Sequence, residues 1–165
     1  MKNILITGAN SFIGTSVEAW LLRNKNEYKV DTVDTMNDAW KKADFTQYDV
    51  VFHVAGIAHV DPKPEMAPLY YKVNRDLTVE IAKHAKASGV KQFVFMSSQI
   101  VYHASKSLEG TVISKNTKPN PNDFYGDSKL QAEKGLNVLT SDDFKVVNLR
   151  PCMIYGTNGK GNFQR

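Results

Sequence analysis

Cysteine is almost missing: Cys152 is the only thiol among 165 residues. A lone cysteine cannot close an intrachain disulfide. That excludes a disulfide-stapled scaffold and makes a reducing, cytoplasmic compartment the expectation. No apolar run nears the roughly 20 residues of a membrane span, and the first residues enter a strand without a secretory-leader pattern, so no membrane partner is expected. Charge of one sign is scarce too. The net charge is +4, and Lys and Arg are scattered, with pairs such as Lys41-Lys42 but no basic block. A solvated surface is expected, not a nucleic-acid footprint, although an anionic small ligand remains compatible with that balance. The histidines His53, His59, His84 and His103 lack paired ligand spacing, so no metal site is expected. Internal repeats and low-complexity segments are also lacking.

What is present is an ordinary globular composition, 42% apolar and 23% charged, in a chain long enough for one domain with a full core, residues 1–165. Short β-branched runs predict strands at 3–7, 29–33, 49–54, 91–97 and 145–149. Between them Ile13, Val17, Trp20 and Leu21 recur at helical spacing, as do Val73, Leu77, Ile81 and Ala85, and a third helix is predicted over 124–139. Alternating strands and helices mean parallel β-α units. The fold class is therefore α/β: a Rossmann-type, doubly wound, mainly parallel sheet of about six strands with helices on both faces. Runs such as "DVVFHV" and "QFVFM" are apolar at consecutive positions, as expected of strands buried on both sides. Too few residues separate Val33 from Phe45 for a helix spanning the sheet, so that crossover is abbreviated and any strand near 43–45 is short. Residues 103–123 read as a long polar loop, and the tail "GTNGKGNFQR" as flexible. Trp20, Trp40, Cys152 and His53 are expected as packing or hydrogen-bonded core residues.

The first strand runs into "TGANSFIG" and then a helix. In such a turn Gly8 takes a backbone conformation closed to other residues, Gly14 lets the helix approach the strand, and free N–H groups at the helix start face phosphate. Ser11 stands where a third glycine is usual. A left-handed backbone there costs about 1–2 kcal/mol, which a hydrogen bond from its hydroxyl to phosphate, about 1.5–3 kcal/mol, could offset. A dinucleotide site of this kind expects an acid at the end of the second strand to accept from the adenosine ribose. Asp34 meets that, with Asp31 as an alternative within the strand. A carboxylate there repels a 2′-phosphate, so NAD is expected over NADP.

In "YGDSK" Tyr125 and Lys129 are four apart, on one helix face. For tyrosine to act as a base near neutrality its pKa must fall from about 10 to about 7, roughly 4 kcal/mol. A nearby ammonium and a positively charged nicotinamide both favour phenolate. Ser97 and Ser98 stand where the strand at 91–97 runs out, at the carboxyl edge where ligands of parallel sheets bind.

Together these segments resemble the extended short-chain dehydrogenase/reductases, and among them the NAD-dependent epimerase/dehydratase family. "TGANSFIG" is similar to its TGxxGxxG loop, "VVFHVAG" to its fourth-strand segment, "SSQIVY" to SSxxVY, "YGDSKLQAE" to YGxSKxxxE and "LRPCMIYG" to LRPxxVYG. The resemblance implies Tyr125 as acid/base, Lys129 as the group that lowers its pKa and holds the nicotinamide ribose, and Ser98 as the serine oriented to substrate. It implies NAD contacts from Gly8, Asn10, Ser11, Phe12, Ile13, Gly14, Asp34, Asp44, Phe45, Val54, Ala55, Gly56, Asn74, Tyr125, Lys129 and Pro151. A nucleotide-sugar substrate, a transient keto intermediate, and a homodimer through the helices bearing Asn74 and Tyr125 are implied as well. Members usually continue for a further hundred or so residues, so a truncated chain that binds NAD weakly and turns over little is expected. A reductase or dehydrogenase of a small carbonyl compound would share every one of these residues, whereas a noncatalytic dinucleotide sensor on the same fold commonly lacks the tyrosine–lysine pair, whose presence here argues against it.

Overall fold

In a computed structural model, which describes residues 1–58, 63–103 and 112–156, five parallel strands form one sheet in the order β2-β1-β3-β4-β5. They are β1 (Lys2–Thr7), β2 (Tyr28–Val33), β3 (Val50–His53), β4 (Gln92–Met96) and β5 (Lys145–Leu149). Thr7 pairs with Val33 on one side and His53 on the other, and His53 with Phe95. The strand ends are thus aligned, and the segments leaving them share one rim.

Parallel strands need crossovers, and the apolar stripe of each helix decides which face it covers. On one face Ile4, Ile6, Val50 and Phe52 pack with Ile13, Val17 and Leu21 of α1 (Phe12–Leu21). Trp20, at the edge of that stripe in the last turn, is left 58% exposed and is not a packing residue. On the other face Leu5, Val51, Phe93 and Phe95 pack with Ile81, Ala82 and Ala85 of α3 (Thr78–Ala87), and with Ala132 and Leu136 of α4 (Phe124–Asn137). Helices on both faces follow. α4 starts where Asp123 Oδ1 accepts from the Gly126 N–H at 2.6 Å, an N-cap.

The abbreviated crossover forms no strand at 43–45. It makes a 3₁₀ turn, Asp38–Lys42, capped by Asn37, and then sinks Trp40 and Phe45 into the core, where both rings meet the edge of His84. Burying two aromatic rings pulls this backbone beneath the sheet and not alongside β2. Among the described residues the sheet therefore has five strands, where about six were expected, with β2 at an edge. The next crossover runs as α2 (Ala67–Tyr70), a π-helical stretch (Tyr71–Leu77) and α3. Cys152 is exposed, not buried, because it follows the end of β5. No helix among the described residues is long and apolar enough to cross a membrane. The expectations for His59 and for the tail beyond Gly156 lie outside the described residues.

Candidate active site

Most of the residues singled out in the sequence follow the carboxyl ends of the strands. After β1, Gly8 has φ +102°, and an added Cβ would stand 2.8 Å from the Ala55 nitrogen and 3.1 Å from Val54 Cγ2. Only glycine fits there. The left-handed position beyond it is Asn10 (φ 63°), whereas Ser11 is extended (φ −75°, ψ 149°). The strain expected at Ser11 therefore falls on asparagine, which tolerates it better than most side chains. The Ser11 hydroxyl accepts from the Gly14 N–H at 3.0 Å, capping α1. Having accepted, it still has a proton to donate. The Phe12 and Ile13 N–H groups, in the first turn, have no partner within the helix. Glycine-lined backbone, outward N–H groups and a helix start suit a pyrophosphate. Gly156 comes back against the Phe12 ring, 3.3 Å from where its Cβ would be.

After β2, Asp34 is exposed and its Oδ1 accepts from the Met36 N–H at 2.9 Å, which fixes the carboxylate at the rim. Asp31 is engaged within the strand by Tyr48 and Lys29. Asp44 is exposed and bonded to Thr46, whose hydroxyl and N–H hold its carboxyl below the usual range. The Phe45 side chain lies in the core, so only its backbone is left for a ligand.

After β3, the Val54 and Ala55 N–H groups both donate to the Thr7 carbonyl at 3.1 Å, closing this loop onto the glycine turn. Gly56 lies over two site residues: a Cβ there would meet Asn74 Oδ1 at 3.0 Å and Lys129 Nζ at 3.1 Å. Asn74, fully buried in the π-helical stretch, accepts from the Ile57 N–H at 2.8 Å and donates to the Ile57 carbonyl and to Ser128 Oγ. Single-turn π segments are common at functional sites. Beneath, His53 bridges Thr7 Oγ1 (2.5 Å) and Thr78 Oγ1 (2.9 Å). Because Thr78 donates its proton to the Asn74 carbonyl, it accepts from Nε2–H, leaving Nδ1 to accept from Thr7. Burial, and secondarily the Lys129 charge, push this imidazole down to about 3, so it is neutral.

After β4 the serine pair divides. Ser97 turns inward, its hydroxyl donating to Glu133 Oε1 at 2.5 Å. Ser98 caps a 3₁₀ turn, Gln99–Tyr102, its hydroxyl accepting from the Ile100 N–H at 3.3 Å. Gly126 lets α4 approach this turn: a Cβ there would stand 2.9 Å from the Ile100 carbonyl oxygen. Burial pushes the Tyr125 phenol above its ordinary value, against the lowering effect of the Ser98 hydroxyl. The depression expected of it is not a property of this arrangement by itself. Lys129, 5% exposed, donates to the Met96 carbonyl at 3.0 Å and lies 4.7 Å over the Phe95 ring. Burial pushes its ammonium down to about 8, opposed by Glu133. The Pro151 carbonyl accepts from the Gln99 N–H at 3.1 Å, tying the end of β5 to the serine turn.

A buried carboxylate, the last residue of "YGDSKLQAE", was matched in the sequence but given no role there. Glu133 (2% exposed) takes two bonds from Arg150, at 2.9 and 2.5 Å, besides that from Ser97, and Arg150 also reaches Tyr102. One signal for it was the four-residue step from Lys129, which puts Glu133 on the same helix face.

The sequence pattern of the NAD dependent epimerase/dehydratase family matches residues 4–165. The UDP-glucose 4-epimerase of Vibrio cholerae is 35% identical over 98% of this chain and 55% of its own length. MoeE5, solved with UDP-glucose and NAD, is 25% identical with a TM-score of 0.74, covering 90% of this chain and 53% of that one. The UDP-glucuronic acid 4-epimerase of Bacillus cereus, solved with NAD, shares the fold at 24% identity and a TM-score of 0.75, over 93% of this chain and 57% of that one. The chain thus spans about half the length of these relatives. With the family pattern running from the first strand to the last residue, over a parallel sheet whose rim gathers a glycine turn, Ser98, Tyr125 and Lys129, this chain belongs to the NAD dependent epimerase/dehydratase family.

Proposed function

We propose that this chain carries the NAD-binding and proton-transferring half of an enzyme that epimerises or dehydrates a nucleotide-linked sugar, such as a UDP-hexose, through a keto intermediate. The observation that carries the reading is the buried Lys129 ammonium at the sheet rim, tied to the Met96 carbonyl at the end of β4 and beside Gly56, with Tyr125 one helical turn back on α4. Gly8, Ser11, Phe12, Ile13 and Gly14 would hold the pyrophosphate, Asp34 the adenosine ribose, and Val54, Ala55, Gly56, Asn74, Lys129 and Pro151 the nicotinamide side. The close approach of Ala55 to Gly8, which leaves no room for a Cβ, fits a backbone-lined phosphate cradle. When bound, NAD supplies a hydride acceptor and a positive charge.

Tyr125, as phenolate, removes the proton from a sugar hydroxyl at its phenol oxygen and later returns it. Its burial favours the neutral phenol, so beyond the lowering by Ser98, positive charge is needed, and the Lys129 ammonium would be the chain's own source. Ser98 donates to the sugar oxygen as its charge changes. Asn74 holds the loop at Ile57 and, through Ser128, the first turn of α4.

Calorimetric titration of NAD and NADP into the 165-residue chain is expected to give weak NAD binding and weaker NADP binding. In the longest natural form of the protein, Tyr125→Phe is expected to retain NAD binding while losing UDP-glucose-dependent formation of reduced nicotinamide by about a hundredfold or more. Preference for NADP, or an unimpaired phenylalanine variant, would sink the proposal.

A further inference from the structure

Because no strand forms at 43–45, β2 is an edge strand: β1 pairs with one side of it, and among the described residues no strand pairs with the other. The carbonyls of Glu27 and Val33 accept from Lys2 and Gly8, so they point toward β1. Backbone groups alternate in direction along a strand, so the N–H and C=O groups of Tyr28, Val30 and Thr32 point outward from the sheet. Such an edge is a template for another strand unless its side chains forbid pairing.

The side chains here forbid most pairings and permit one. Lys29 and Asp31 stand on one face, Nζ to Oδ2 3.6 Å, with side chains 51% and 42% exposed. We infer that β2 is a self-complementary edge on which a second copy of this chain docks, Tyr28–Val33 pairing antiparallel with its own counterpart about a two-fold axis at Val30. In that register Tyr28 faces Thr32 of the second copy, Val30 faces Val30, and Thr32 faces Tyr28. These three pairs are the outward-pointing residues, and each exchanges two bonds, for about six in all. The intervening pairs are Lys29 against Asp31 and Asp31 against Lys29, opposite charges at the shorter cross-strand separation.

Sliding by one hydrogen-bonded step either way loses a pair and sets Lys29 against Lys29 or Asp31 against Asp31. A one-residue slip turns outward groups against inward ones and makes no ladder. The charges therefore select one register of this strand with itself. That self-fit is what identifies the occupant as a copy of the chain and not a foreign strand. The result is a sheet continuous across two chains, distinct from association through the helices bearing Asn74 and Tyr125.

Sedimentation equilibrium over a range of concentrations tests this with three variants, each checked for folding by circular dichroism. The unmodified chain is expected to dimerise. Lys29→Asp sets two carboxylates against each other in both intervening pairs, and Asp31→Lys sets two ammonium groups against each other in both. Each should raise the dissociation constant about tenfold or more. An equimolar mixture of the two variants should recover a heterodimer, and K29D/D31K should dimerise like the parent. Hydrogen exchange on the unmodified chain should show the Tyr28, Val30 and Thr32 amides more protected at high concentration than at low. This measurement decides the matter should Asp31→Lys fail to fold. A chain that stays monomeric, a dimer indifferent to the single reversals, folded variants that do not rescue each other, or outward amides whose exchange ignores concentration would each overturn the inference.

Discussion

His53 is wholly buried between Thr7 and Thr78, and protonating it would be costly in three ways. A second N–H would face the Thr7 hydroxyl, which now donates; the charge would be desolvated; and it would stand in the field of Lys129. Its folded-state pKa of about 3 lies below the 6.5 of a free imidazole. As pH falls, the unfolded chain takes up this proton first. The contribution of His53 to stability is therefore full above about pH 6.5 and erodes from there down toward about pH 3. By linkage the loss from this one group is about 2 kcal/mol at pH 5 and about 3 kcal/mol at pH 4. Urea unfolding of the parent and of His53→Gln, each at several pH values between about 4 and 7.5, isolates the effect, because the carboxylates titrate alike in both. The variant is expected to be less stable at neutral pH but to lose about 2 kcal/mol less on going to about pH 5. Parallel pH profiles would refute the account of the buried relay, as would an imidazole whose NMR shifts titrate near the ordinary value.

Two further substitutions probe the rim. Lys129→Met removes an ammonium that burial pushes down to about 8, and is expected to raise the thermal midpoint, by about 1–3 kcal/mol of stability, while abolishing turnover in the longest natural form; a lower midpoint would mean that the Met96 hydrogen bond and the Phe95 ring outweigh the burial. Gly8→Ala places a Cβ 2.8 Å from the Ala55 nitrogen at φ +102° and should cost about 2 kcal/mol or more in denaturant unfolding, with NAD binding lost; an unchanged unfolding midpoint would contradict the close approach.

Much of the framework was legible in the chain. Each strand expected from a β-branched run is present within a residue or two of its predicted ends, because β-branched and aromatic side chains suit a pleated backbone, at the edges β2 and β5 as well as at the buried centre. Parts of the candidate site were legible locally: the spacing of Tyr125 and Lys129 put them on one helix, and Gly8 announced its φ by being glycine. At Ser11 the sequence left open whether the backbone is left-handed. The backbone put the left-handed residue at Asn10, and a side chain there reveals little of its φ. Glu133 and Arg150 each stand in a quoted motif, but their pairing was not legible because they lie 17 residues apart, and nothing local indicates that one meets the other beneath the serine turn.

The linear sequence by itself determined the alternation of strand and helix, the glycine turn and the positions of serine, tyrosine and lysine, since each depends on local periodicity or on one residue's allowed backbone. The tertiary structure alone decided the rest. It sent Trp40 and Phe45 into the core at the expense of a sixth strand, which left β2 as an edge. It also divided Ser97 from Ser98 and set the direction in which the phenol and ammonium titrate. Those outcomes turn on which distant groups share a buried space, and desolvation acts on that space, not on the order of residues along the chain.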